Sequence, residues 1–227
     1  MDSLQNWFLR LILRQGPGVP TGSLLWETGT LSMGLRVWRE KLCLALHIVR
    51  MDSDTLANRI WREQCLYQWP GLSEETVTIC KELEIEHVTD TDVTAKVYRK
   101  KVTEACHRLN ERRLRKMMLG KRKCTKILAE YYGRKSYFDQ KIPNQVRDQF
   151  TMRLEMLPIA GNFTKDNRFR RTGWLCLCRE REEQEHIRSH CQEYADIRAQ
   201  YDDLDSDEQL VLFLSQSLRA SGYPMPQ

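Results

Sequence analysis

The chain has 227 residues, with 36 lysines and arginines against 31 acidic residues, a formal charge of +5 and eight cysteines, a length that allows one sizeable core or two small ones. Its first residues lack the basic start, apolar centre and cleavage site of a signal peptide, and no apolar run approaches the roughly 20 residues of a membrane span. The expectation is an intracellular chain, nuclear or cytoplasmic, with no membrane partner, whose cysteines serve metal ligation or burial rather than disulfides.

Leu4, Trp7, Phe8, Leu11 and Ile12 recur at helical spacing over residues 3–14, predicting an amphipathic helix that needs a partner surface and is ended by Gly16-Pro17-Gly18-Val19-Pro20. Leu35, Trp38, Leu42, Ala45, Leu46 and Val49 predict a second helix, and Leu56 and Ile60 a third, capped by Asp52 or Ser53. Trp69-Pro70-Gly71 reads as a turn. Ser73 then reads as an N-cap, with Glu74 and Glu75 where carboxylates favour the exposed amides and with Val77, Cys80 and Leu83 on one face. The longest helical pattern runs from about Asp92 toward Tyr132, with Tyr98, Val102, Ala105 and Leu109 on one stripe, Gly120 and Gly133 as breaks, and Met117 and Met118 as core filler. From Phe138 to Phe169 Pro143, Pro158 and Gly161 mark short segments, and Trp174 to Cys178 alternates like a hairpin. Ser206-x-x-Gln209 reads as a capping box before Leu210, Phe213, Leu214 and Leu218.

Charge is polarised along this pattern. Thirteen lysines or arginines lie between Lys96 and Lys126 against Glu104 and Glu111, whereas Glu180 to Glu208 holds eleven acidic residues against Arg181, Arg188 and Arg198. A basic block of that density meets phosphate, or else is a solvated helix face whose counter-charges come from elsewhere in the fold. Tyr131, Tyr132, Tyr137 and Phe138 downstream of it offer stacking surfaces or core.

The sharpest motif is Cys176-x-Cys178-x7-His186-x4-Cys191, three soft sulfurs and an imidazole that suit one tetrahedral, structural Zn2+. Two thiolates come from a tight turn and the last two ligands flank a short helix beginning near Glu182. His190 competes with His186, but its adjacency to Cys191 would strain joint ligation. The cysteines at 43, 65, 80, 106 and 124 form no second set.

Those ligands, with Glu185, Tyr194 and Arg198, resemble the zinc-binding tail at the carboxyl end of reverse transcriptases from non-LTR retrotransposons. The stretches GPGVPTGSLLWETGTLSM, WPGLSEE and AGNFTKDNRFRRTGWLC are similar to the linker between polymerase thumb and tail in that family, so that the resemblance spans about Leu11 to Leu218. Two positions depart from it: Arg179 stands where many such tails have glycine, and Gln192 where many have proline. Glycine enters a positive-φ turn freely; arginine carries strain there.

The helical patterns predict, and the resemblance implies, a mainly α fold, an elongated helical body with a small CCHC zinc knuckle near the C-terminus. Its divisions would be a helical linker-like domain with the basic helix at 1–137, an irregular connector at 138–171, the zinc-binding module at 172–203, and a helix and tail at 204–227. It also implies a grip on RNA or DNA, with phosphate contacts from Arg99, Lys100, Lys101, Arg108, Arg112, Arg113, Arg115, Lys116, Lys121, Arg122 and Lys123. Other retroelement protein segments are possible partners.

No catalysis is expected. The paired palm carboxylates of a polymerase are missing, since Tyr201-Asp202-Asp203 lacks the intervening residue and lies in a solvated acidic run, and palm and fingers would precede residue 1. The stretch after Cys191 is too short for a nuclease fold. Gly-rich phosphate loops, His-Glu-x-x-His and Gly-x-Ser-x-Gly are also absent, so no small-molecule substrate is expected, and His47, His87 and His107 read as satisfied or exposed. The competing expectations are a metal-free helical protein-interaction module and a non-functional retroelement remnant.

Overall fold

The computed structural model of the chain describes residues 2–16, 18–87, 94–121, 124–139, 143–154, 176, 178–181, 183–201, 204 and 207–220. Its α-helices are α1 (Asp2–Ile12), α2 (Thr21–Thr28), α3 (Met33–Val49), α4 (Leu56–Tyr67), α5 (Leu72–Leu83), α6 (Ala95–Met118), α7 (Thr125–Leu128), α8 (Pro143–Arg153), α9 (Ala195–Arg198) and α10 (Asp207–Ala220). The class is mainly α, with no β-strand among the described residues. No described helix is long and apolar enough to cross a membrane. The chain forms two compact units, one of Met1–Leu11, Gly18–Met118 and Tyr132–Arg134, the other of Ile12–Pro17, Leu119–Tyr131 and Lys135–Gln227.

The core of the first unit gathers Leu35, Leu42 and Leu46 from α3, Ile79, Cys80 and Leu83 from α5, and Val102, Ala105, Cys106 and Leu109 from α6. α2 was not legible in the sequence. Its Gly22, Leu24, Leu25, Trp26 and Glu27 are all buried, so that the helix has no polar face to generate a period. The missing side chain at Gly22 lets α2 lie against Met118, where a Cβ would stand 2.8 Å from its Cγ. Gly29 ends α2 at φ 61, a left-handed conformation that glycine adopts without strain.

Several caps differ from expectation. Thr55, not Asp52 or Ser53, caps α4, its Oγ1 accepting from Asn58 N at 3.4 Å, because the Asp52 carboxylate is taken by Asp54 N in a local turn. Gly71 is the N-cap of α5 and Ser73 lies buried inside the helix. α6 stops at Met118, with Gly120 at φ 78 just beyond, well short of Tyr132. Met118 is in the core while Met117 is exposed.

α1 is amphipathic as expected, with its apolar side facing outward. Its polar side meets the body: Gln5 donates to Leu31 O at 2.7 Å, Asp2 accepts from Met33 N at 2.9 Å, and Arg10 donates to Val19 O at 2.6 Å. Leu4, Trp7, Phe8, Leu11 and Ile12 remain 54–70% exposed.

In the second unit α8 and α10 pack together, with Met152, Leu210, Phe213 and Leu214 in the core. The 11 residues of α8 are a full helix where only short segments were expected. Lys135 and Arg153, both buried, pair with Glu130. Burial alone would raise the Glu130 pKa, but the hydrogen bond and charge of Arg153, with Lys135, outweigh it and hold the carboxyl below its ordinary range.

Candidate metal centre

Cys176, Cys178, His186 and Cys191 come together so that their ligand atoms all lie within 4.8 Å of one another, the one such group found among the described residues. Cys176 Sγ stands 3.3 Å from Cys191 Sγ, and Cys178 Sγ 3.1 Å from His186 Nε2. Such an arrangement can hold one metal ion.

Local backbone structure explains how residues eight and five positions apart converge. The first two thiols sit on a turn closed by Arg179 N donating to Cys176 O at 2.8 Å and Cys176 N donating to Glu180 O at 2.7 Å. That turn needs a left-handed residue, and Arg179 supplies it at φ 72, the strained position anticipated from the missing glycine. His186 opens a single π turn, His186–His190, closed by Cys191 N donating to His186 O at 2.8 Å. The wider π turn leaves room for an imidazole and a thiol at its two ends, a use to which such bulges are often put. His190 is exposed and outside the group, so the competition with His186 is resolved.

Two neighbours fix this geometry. His186 Nδ1 lies 3.0 Å from Glu180 Oε2, which holds the ring with Nε2 facing the sulfurs, an arrangement common behind metal-ligating histidines. Sequence reasoning missed Glu180; nothing in spacing separates it from Glu182, Glu183 and Glu185. Arg198 donates to Ile187 O at 2.9 Å and to Cys191 O at 2.8 Å, satisfying carbonyls at the end of the turn that carries His186 and Cys191. Tyr194 is buried beside them.

Two of the candidate ligands belong to the core of their unit. Cys176 and Cys191 share one apolar cluster with Ile187, Tyr194, Met152 of α8, and Leu210, Phe213 and Leu214 of α10. Burial pushes the Cys176 thiol up to about 12, with hydrogen bonding to Cys191 adding to the rise. Burial likewise raises Cys191. Without a cation these thiols are neutral in the pH range of most cells, and a metal ion reverses that balance.

The basic block lies elsewhere, mostly on α6, and is largely answered by carboxylates. Arg99 pairs with Glu40 at 2.9 Å, Lys101 with Glu86 at 3.6 Å, Arg112 with Glu84 at 2.8 Å and Arg113 with Glu82 at 3.2 Å. Lys100 and Arg115 pair within the helix, with Glu104 at 3.9 Å and Glu111 at 3.4 Å. Arg108, Lys116 and Lys121 have no acidic partner among the described residues, and Arg122 and Lys123 lie outside them. The expected hairpin is likewise outside apart from Cys176 and Cys178, as are Asp202, Asp203 and Ser206. Of the four aromatics, Tyr132 packs edge-on against Trp26 at 5.5 Å and Tyr137 is buried, while Tyr131 is exposed under Lys135.

Compared with protein-family models, curated proteins and solved structures, the chain matches none. The residues themselves are therefore the ground for a functional reading.

Proposed function

We propose that this chain is a non-enzymatic piece of a polypeptide like the carboxyl-terminal region of a non-LTR reverse transcriptase, its second unit closed by one structural zinc ion, and that it binds RNA or DNA. The observation that carries the reading is the convergence of Cys176, Cys178, His186 and Cys191. A tetrahedral zinc with sulfur bonds of about 2.3 Å has ligand-to-ligand edges of about 3.5–3.8 Å, and the 3.1–4.8 Å spread of these donors straddles that value. Sulfur-rich, imidazole-completed sets favour zinc over hard cations, and a closed set of four protein ligands is structural rather than catalytic.

Phosphate contacts would come first from Arg108, Lys116 and Lys121. The cations paired on α6 follow, since exposed pairs are worth only about 0–1 kcal/mol and phosphates can replace their carboxylates. A second reading, a helical protein-interaction module, is favoured by the outward apolar side of α1. Metal analysis of the purified chain beside His186→Ala tests the first reading: one zinc per chain, lost in the variant, supports it, and a metal-free folded wild type supports the second.

A further inference from the structure

In the first unit α4, α5 and the end of α3 enclose a cleft of about 790 Å3, within the usual range for small-ligand sites. Asn58, Trp61, Arg62, Trp69, Glu74 and His87 line it. Trp61 is almost wholly buried and stacked on His87 at 6.2 Å, whereas Trp69 is half exposed at the rim, with Tyr67 stacked on one face at 5.4 Å. Aromatic walls of this kind take the flat face of a base.

The polar groups are weighted toward acceptors. Asn58 is 2% exposed; its Nδ2 donates to Ile48, Val49 and Met51 carbonyls, at 3.1, 3.3 and 2.9 Å, while its Oδ1 is buried without a donor. A buried acceptor left so is costly, and its residue forms part of the cleft wall. Thr76 gives its hydroxyl hydrogen to Ser73 O at 2.8 Å, so at 3.1 Å it accepts from His87 Nε2, which leaves Nδ1 of the neutral ring as another acceptor. The exposed Glu74 carboxylate has no cationic partner among the described residues. Arg59 and Arg62 of α4 have no acidic partner there either, in contrast to the paired arginines of α6.

An aromatic ligand with adjacent N–H donors and an attached anion fits these groups. Among the bases, guanine alone carries two neighbouring donors, N1–H and N2–H, on its pairing edge; a carboxylate can accept both. We propose that this cleft binds a guanine nucleotide, free or as an unpaired guanine in a single strand, with the base against Trp69, its donor edge toward Glu74 and its phosphate toward Arg62. None of the candidate metal ligands and no residue of α6 lines the cleft, so it is tested apart from the reading above.

Calorimetric titration of the full chain with GMP, AMP, CMP and UMP is the test. GMP is expected to bind at least about tenfold more tightly than the others, the margin a bidentate contact provides. Glu74→Gln should abolish that preference, and Trp69→Ala, a surface change, should weaken GMP binding with an unaltered melting curve. A U-rich oligonucleotide with one central guanine separates the sources: binding tighter than GMP assigns a strand, binding no tighter assigns the free nucleotide. Equal response to all four nucleotides, an unchanged preference in Glu74→Gln, or uptake of an apolar helical peptide with no response to GMP overturns the proposal. Charge reversal on α6 should leave GMP binding intact.

Discussion

At Arg179 a side chain occupies a conformation that costs on the order of 1 kcal/mol, and it does so in the turn that presents Cys176 and Cys178. Arg179→Gly should relieve this strain and tighten zinc binding by up to roughly tenfold at about 1.4 kcal/mol, as read by chelator competition. Equal or weaker affinity would mean that the strain is not coupled to the metal. Glu180 acts through His186, and removing such a partner usually weakens a metal by 10- to 100-fold. Its carboxylate is largely exposed, so Glu180→Gln is expected near the lower end, about tenfold, with the ligand set unchanged. These two residues illustrate what a sequence discloses about a site. The left-handed demand at Arg179 was legible because many of the zinc-binding tails that the motif resembles have glycine at that position. The choice of Glu180 among four nearby glutamates was not, since it depends on where the ring of His186 falls in space.

At the scale of elements, α6 reads differently in three dimensions from its charge run. Its Arg99, Arg112 and Arg113 face Glu40 on α3 and Glu84 and Glu82 at the end of α5, and Lys101 faces Glu86 just beyond, residues remote in sequence, so the matching could not be seen along the chain. If only Arg108, Lys116 and Lys121 engage a single strand, log K should fall against log salt with a slope of about −2; if the paired cations join them, the slope steepens by about 0.7 for each. Reversing Arg108 and Lys116, the two of these on α6, together should flatten it, and an unchanged slope removes α6 from the interface. The helical classes of α3 and α6 were legible because each has an apolar stripe against a polar face. α2, buried all round, had none, and the outward turn of α1 is set by hydrogen bonds from Asp2, Gln5 and Arg10 that periodicity does not register. The first unit also carries a pH dependence. Burial lowers the pKa of His87 and of His107 below 6.5. His107 Nδ1 stands 3.1 Å from Tyr132 Oη, which takes a hydrogen bond from Asn110 Nδ2 and so gives its own hydrogen to the neutral ring. Since the unfolded chain binds protons more readily at these sites, their contribution to stability is full above about pH 6.5 and declines on acidification toward the folded values. Chemical denaturation between pH 7.5 and 5 should show this fall, diminished in His107→Gln.

For the molecule as a whole, two of the four candidate metal ligands, Cys176 and Cys191, are part of a core and not of a detachable appendage. Cys176 and Cys191 touch the same cluster as Met152 and Phe213, so zinc removal should loosen packing between α8 and α10 as well as the turns around the ligands, while the core of α3, α5 and α6 keeps its protection from hydrogen exchange. The sequence spacing of the four ligands made the site legible. Its attachment to α8 was hidden because the chain between Met152 and Cys176 carries no periodic pattern. The most direct measurement is X-ray absorption at the zinc edge of the purified chain. Three sulfurs at about 2.3 Å and one nitrogen at about 2.0–2.1 Å, with one zinc per chain that is lost in His186→Ala, are expected. A shell of oxygen and nitrogen, or a folded chain that takes up no zinc, would contradict the account.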